Sequence, residues 1–330
     1  MKATVIIPCY NCADVVERCI RSVAACTLDG GFEIVAVVDG SSDATTPVLR
    51  GIAARDPRLR VIEMPHLGPG AARDAGIRAA KGDWIAFADS DDEVLPGFLS
   101  VPVEAGERDR ADMVVAPFFS RPHPGAQFDV IPLKASYRLF SARDIRREYV
   151  PRVIGYQVSA IRARIFGKDV SSGFREPGEV WRCLYRRSAL EKSGVLFDTA
   201  LSLYEDVLFN AAFALSITRM TCVREPLYKY TPAKSGLVRS RRDSSKAVGD
   251  RRRLFFDLLA LDRRHGGKLF PLFAGSFVSG AAESFRLALW HPSLKSLWIA
   301  FCRLFHPATL RALCMLFSGS APLPRYASPV

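Results

Sequence analysis

Apolar and polar positions alternate between two periods along the first 92 residues. Residues 3–8, Ala-Thr-Val-Ile-Ile-Pro, form an apolar run closed by Pro8, which predicts a strand. Asn11 reads as a helix cap, with Asp14 in the first turn behind it. Val16, Cys19, Ile20 and Val23 then recur at helical spacing and give that helix one buried face. A second strand runs from Ile34 to Val38 into Asp39-Gly40-Ser41-Ser42-Asp43, and Val48, Leu49 and Ile52 mark the helix after it. A third strand covers residues 60–64. Gly68-Pro69-Gly70 opens a helix with a small-residue face (Ala72, Ala75, Gly76, Ala79), Gly82 closes it, and Trp84-Ile85-Ala86-Phe87-Ala88 is strand four. Such alternation predicts a parallel α/β sheet with right-handed crossovers, whose ligands bind beyond the carboxyl ends of the strands.

Three of those ends carry polar clusters: Pro8-Cys9-Tyr10-Asn11, Asp39-Gly40-Ser41 and Asp89-Ser90-Asp91-Asp92. One ligand can touch all three. Carboxylates delivered to a sheet edge by a buried strand suit Mg²⁺ or Mn²⁺, which prefers oxygen ligands and keeps positions open for water and substrate phosphates. A solvated acidic turn explains Asp-x-Asp on its own; the upstream clusters are what favour the ion.

Beyond residue 112 the pattern loosens. Met113–Phe119 reads as a strand, Pro122, Pro124 and Gly125 as a loop, and residues 140–180 have no clear period. Cys183-Leu184-Tyr185 reads as a short strand, followed by a helix around Leu190. Val207, Leu208, Ala211, Ala212 and Leu215 place a helix directly after Glu205-Asp206. Both acids then lie in its first turn, where the helix dipole favours negative charge and alone accounts for the pair.

The net charge of +12 is uneven: from Lys234 onward there are 16 Lys and Arg against 5 Asp and Glu. A near-neutral body with a basic last third points to an anionic partner for that third, either lipid or nucleic acid. Its Phe and Trp residues follow apolar helical patterns rather than stacking platforms, which sets nucleic acid aside. The segments from His291-Pro292 and His306-Pro307 each begin as a helix would. They suit a membrane interface or the core of a helical subdomain. No apolar run reaches about 18 residues and no signal peptide precedes strand one, so the expected location is the cytoplasmic face of the membrane. Eight cysteines, at 9, 12, 19, 26, 183, 222, 302 and 314, show no framework spacing. Cys9-Tyr10-Asn11-Cys12 is formally a C-x-x-C without a second pair or a His partner.

Taken together, Val-Ile-Ile-Pro-Cys-Tyr-Asn at 5–11, Val-Val-Asp-Gly-Ser-Ser-Asp at 37–43, Gly-Pro-Gly-Ala-Ala-Arg-Asp-Ala-Gly-Ile at 68–77 and Lys-Gly-Asp-Trp-Ile-Ala-Phe-Ala-Asp-Ser-Asp-Asp at 81–92 resemble the family 2 inverting glycosyltransferases of GT-A fold. Leu-Tyr-Arg-Arg-Ser at 184–188, Tyr-Glu-Asp-Val-Leu-Phe-Asn at 204–210 and Glu225-Pro226-Leu227-Tyr228-Lys229-Tyr230 look like the acceptor half of bacterial polysaccharide-assembling members. The resemblance covers residues 3–230 and fades beyond. It implies a donor side of Pro8, Tyr10 and Asn11 lining a nucleoside, Asp39 accepting the N3 hydrogen of uracil, and Arg73 in support. Gly40 and Ser90 belong to the same set. It further implies that Asp89 faces the ribose or the metal's water shell, that Asp91 ligates the metal, that Asp206 is the general base and that Glu205 positions. Two positions depart from the family's habit: Val38 replaces the first of two acids, and Asp74 stands where Asn is common.

The expected division is a nucleotide-sugar-binding half (1–120), an acceptor half carrying the base (121–235) and a basic helical region (236–330). The expected reaction is metal-dependent hexosyl transfer from a UDP-sugar to a lipid-linked oligosaccharide. A nucleotidyltransferase or a sugar-nucleotide-binding protein of similar architecture is the alternative.

Overall fold

The computed structural model describes residues 1–121, 123, 125–133, 139–154, 178–201, 203–231, 245–264, 309 and 310. Four strands, β1 (Ala3–Cys9), β2 (Phe32–Asp39), β3 (Leu59–Met64) and β4 (Trp84–Phe87), alternate with helices α1 (Val16–Ala24), α2 (Thr45–Ala53) and α3 (Pro69–Ala79). The strands pair in parallel in the order β3-β2-β1-β4. All of β2 is buried, as crossover helices on both faces require. The small face of α3 has a definite purpose: a Cβ on Gly76 would strike Ile6 of β1. Because the chain winds outward from β1 through β2 to β3 and then returns to place β4 on the other side, the β1/β4 boundary is the switch point of the sheet, where a ligand crevice opens.

The remaining strands extend that sheet to β3-β2-β1-β4-β10-β6-β11-β9. They are β6 (Met113–Val115), β9 (Phe140–Ser141), β10 (Cys183–Arg186) and β11 (Arg219–Cys222). Strand β10 is antiparallel to both β4 and β6, and β9 to β11, so the sheet is mostly rather than wholly parallel. A smaller sheet, β5-β12-β7-β8, joins Glu93–Val94, Tyr228–Tyr230, Phe118–Ser120 and Asp129–Ile131. Phe87, Tyr185, Phe197, Phe209 and Phe213 interlock between β4, β10 and the helix Glu205–Ser216. Asn210 is fully buried there, accepting from the Tyr185 hydroxyl at 2.6 Å and donating to the Gly178 carbonyl at 2.7 Å.

Three local expectations are corrected. Asn11 does not cap a helix. Helix α1 starts at Val16 behind Val15 with no side-chain cap, and Asn11 instead occupies a turn at φ 47°, which its short polar side chain tolerates. Strand β1 continues through Pro8 to Cys9, pairing there with β2 alone because the register with β4 ends at Ile6. The run 113–119 splits into β6 and β7, which enter different sheets, since Pro117 has no N–H to carry one ladder through.

The chain divides into two compact units. One comprises Met1–Ile145 with Gly178–Asp250, the other Arg146–Pro177 with Arg251–Val330. In the second, Arg251–Arg253 and the apolar stretch after them fall on one helix, Ser245–Arg264, with Leu254, Leu258 and Leu261 buried. No helix among the described residues is long and apolar enough to cross a membrane. The segment at 291–297 lies outside the described residues, as does that at 306–313 apart from residues 309 and 310.

Candidate active site

The loops after β1, β2 and β3 are stitched to one another. Asn11 N–H donates to Ser41 Oγ at 3.0 Å, and its side-chain oxygen accepts from the Ser42 N–H at 2.8 Å. Asp43 accepts from the amides of Ala13 and Thr45. Asp39, at the end of β2, accepts from the Leu67 amide at 2.7 Å and the Gly68 amide at 2.9 Å, one on each carboxylate oxygen. His66 Nδ1 lies 2.9 Å from the same carboxylate, and the His66 ring stacks on Tyr10 at 4.2 Å. The approach depends on Gly40, at φ 64°, where a Cβ would come within 2.6 Å of the His66 backbone nitrogen. Tyr10 itself is 48% exposed, an aromatic face at the rim of the crevice. Asp39 thus holds the 66–68 loop, and its second lone pairs are what remain for a ligand.

The loop after β4 is pinned from the opposite half of the unit. The Asp89 amide donates to the Tyr228 hydroxyl at 2.9 Å, and that hydroxyl donates to Asp92 at 2.9 Å. Asp92 also accepts from the Thr231 amide at 2.7 Å. Being buried, Asp92 is structural; burial and the charges of Asp89 and Asp91 hold its carboxyl well above the usual range. Asp89 and Asp91 are half-buried. Burial, then the neighbouring Asp89 charge, pushes the Asp91 carboxyl up to about 6. Among the described residues no group of three or more His, Cys, Asp or Glu is placed to hold a metal. Two crowded carboxylates nevertheless suit Mg²⁺ or Mn²⁺, which takes one or two protein carboxylates and completes its shell with phosphate and water.

Arg73 joins this loop to the Glu205–Ser216 helix. Its guanidinium donates to Asp89 at 3.0 Å and to Glu205 at 3.0 Å, and lies over the Phe197 ring. Arg73 and Glu205 are both buried, so the Glu205 carboxylate is matched by a charge-assisted hydrogen bond where water does not compete. Tyr204 sits at φ 70°, a conformation that costs a bulky residue energy and that turns the chain into the helix at the acidic pair. Asp206 is half-buried and accepts from the Val207 amide at 2.7 Å. Burial, then the charges of Glu205 and Glu179, raise its carboxyl well above the usual range, with Arg73 opposing them. A carboxylate held that way has the affinity for a proton that a general base needs.

Of the residues expected from the sequence, Asp89, Arg73 and Glu205 are in direct contact, and Asp206 is close enough to feel Arg73. Tyr10, Asn11, Asp39 and Gly40 gather at the adjoining strand ends, and Ser90 is half-buried in the β4 loop between Asp89 and Asp91. Asp74 points away from the acids, accepting from the Phe197 amide at 3.1 Å. The sequence names Asp92 and Tyr228 only as members of motifs, and gives no role to His66 or Glu179. Of these, His66 was open to discovery as a polar residue just past a third strand end.

The class that this sheet and its strand-end loops define is the GT-A fold. Residues 1–349 of S. aureus TarS share it, with a TM-score of 0.67 over 98% of this chain and 85% of that one at 18% identity. TarS has also been solved with UDP and with UDP-GlcNAc. Residues 4–167 match the family described as Glycosyl transferase family 2, and the chain belongs to that family. The uncharacterized glycosyltransferase EpsJ of Bacillus subtilis (strain 168) is 30% identical over 69% of this chain. The succinoglycan biosynthesis protein ExoO of Rhizobium meliloti (strain 1021) is 33% identical over 63% of it. The alignments take in 60% and 54% of those two proteins' own lengths.

Proposed function

We propose that the chain transfers a hexose from a nucleoside diphosphate sugar, a UDP-sugar, to a hydroxyl of a lipid-linked oligosaccharide in bacterial polysaccharide assembly, with inversion at the anomeric carbon. The observation that carries this reading is the Arg73 bridge, which keeps the β4 loop and the Glu205-Asp206 turn in one place. Membership of family 2 and the polysaccharide role of ExoO support the reaction class; the UDP-sugar bound by TarS supports the donor.

The nucleoside lies against Tyr10 and Asn11, with Pro8 beneath, and reaches Asp39 only past His66. Asp89 and Asp91 would hold Mg²⁺ or Mn²⁺, which would supply positive charge to offset that developing on the leaving diphosphate. Asp206 takes the proton of the attacking hydroxyl; burial and the Glu205 and Glu179 charges raise its affinity for that proton, and Arg73 opposes them. Glu205, paired with Arg73, is the positioning member of the acidic pair. A single in-line displacement then inverts the sugar. A nucleotidyltransferase normally places a Gly-rich, basic phosphate loop after strand one, where this chain has Pro8-Cys9-Tyr10-Asn11.

Asp206→Asn tests the assignment: transfer falls by about 10²- to 10⁴-fold while UDP-sugar binding, read by calorimetry, persists. Asp91→Ala should instead weaken donor binding and its response to Mn²⁺. Unchanged turnover in either variant refutes its role. The basic region from residue 236 docks the enzyme on an anionic membrane surface at its cytoplasmic face. Deleting residues 240–330 then abolishes vesicle binding, and full retention overturns that part.

A further inference from the structure

Three aromatic rings join the loops of the site and play no part on its donor side. Trp181 stacks on Tyr228 at 4.3 Å and 14° between planes, and on Tyr230 at 5.7 Å and 7°. Tyr228 and Trp181 are buried, whereas Tyr230 is only half-buried. The Tyr230 hydroxyl meets no hydrogen-bond partner among the described residues. A tyrosine hydroxyl in a packed cluster usually finds one, so this phenol is left for a ligand.

The stack is fastened to the chemistry at both ends. Tyr228 holds the Asp89 amide and Asp92, and Thr231, the residue after Tyr230, donates its amide to Asp92 at 2.7 Å. Trp181 lies in the short 3₁₀ turn Val180–Arg182. The chain just before that turn is tied to the helix of the acidic pair, because Asn210, one turn beyond Asp206, donates to the Gly178 carbonyl at 2.7 Å. The rings therefore link the β4 loop to the helix that begins Glu205-Asp206. Strand β12, which carries Tyr230, is paired with both β5 and β7, so the ring stands on a sheet rather than on a free loop.

We propose that Tyr230 is a platform for the acceptor: a pyranose lays its C–H face on the ring, and one of its hydroxyls meets the phenol. The place of this platform in transfer rests on the proposed function. The chemistry selects a class of acceptor. Sugar C–H bonds, polarised by neighbouring oxygens, present partial positive charge to the negative face of an aromatic ring. The phenol both donates and accepts, as a sugar hydroxyl does. A bare lipid phosphate or an open-chain polyol offers no such flat C–H face.

The test titrates methyl β-glucopyranoside, methyl β-galactopyranoside and methyl α-mannopyranoside into the full chain, with glycerol as the ring-free control. Saturation-transfer NMR follows them with and without UDP. At least one glycoside is expected to take up saturation on the C–H protons of a single face, and glycerol none. Tyr230→Leu should weaken that binding by about 2- to 10-fold, the scale of one ring stack, while UDP affinity by calorimetry stays that of the parent. Tyr230→Phe keeps the stack and loses the phenol contact, so it should fall between the two. Equal glycoside affinity in the parent and Tyr230→Leu overturns the platform, as does a chain that binds UDP but none of the glycosides. A parallel loss of UDP affinity in Tyr230→Leu makes the residue a structural one and overturns it as well. A chain that binds a glycoside through Tyr230 but binds no UDP faults the donor assignment and leaves the platform standing.

Discussion

The block from β1 to β4 and the half from β6 to β12 are built in different ways. In the first, one helix separates each strand from the next along the chain, and the strand-end loops are stitched by side chains about 30 residues apart, such as Asn11 with Ser42. In the second, strands of two to four residues are inserted from distant parts of the chain: β10 separates β4 from β6, and β12 lies beside β5. The first block presents the polar loop ends; the second supplies Tyr228, Thr231 and Glu205, which tell the β4 loop where to stand. Neighbouring strand ends are brought together by local winding. Joining the β4 loop to the second half needs contacts across 132 and 139 residues.

Arg73 is the sharpest place to break that arrangement. Arg73→Met leaves Glu205 and Asp89 facing each other without a counter-charge, and stripping one partner from a buried ion pair costs about 3–5 kcal/mol. Urea unfolding reads this directly, and a loss under about 1 kcal/mol, the ceiling for an exposed pair, would show that the two halves do not depend on the bridge.

Asp74 separates the halves by pH. Burial pushes its carboxyl up to about 6, above the unfolded value. Its favourable contribution is thus complete below about pH 4 and lost as pH rises through 6. Asp74→Asn keeps an acceptor for the Phe197 amide while removing the buried charge. The variant should match the parent near pH 4 and exceed it by up to about 3 kcal/mol at pH 8. Equal stabilities at pH 8 would place the Asp74 charge in water.

Tyr228→Phe is the mildest of the three. It removes the hydroxyl between the Asp89 amide and Asp92 while keeping the ring against Trp181, for a loss of about 1–3 kcal/mol from unsatisfied groups. Donor affinity should fall as the β4 loop loosens, and calorimetry with UDP-sugar checks it; unchanged affinity would mean the loop holds without Tyr228.

The sequence alone was enough for β1 to β4, the helices between them and the helix after Glu205-Asp206, because strand and helix periods are local and unbroken there. It was also enough for the family, through four motifs in order. The split at Pro117 was within reach of local chemistry, but the sheet each piece would join was not. Asn11 misled because a polar residue before an apolar helical run has the same local look whether it caps or turns. Only the tertiary structure decided that Arg73 faces Glu205 as well as Asp89, that Asp39 is already engaged by the 66–68 loop, and that β10 runs against its neighbours. Those outcomes depend on which distant groups are buried together, and burial makes a charge choose a partner that no periodicity along the chain can name.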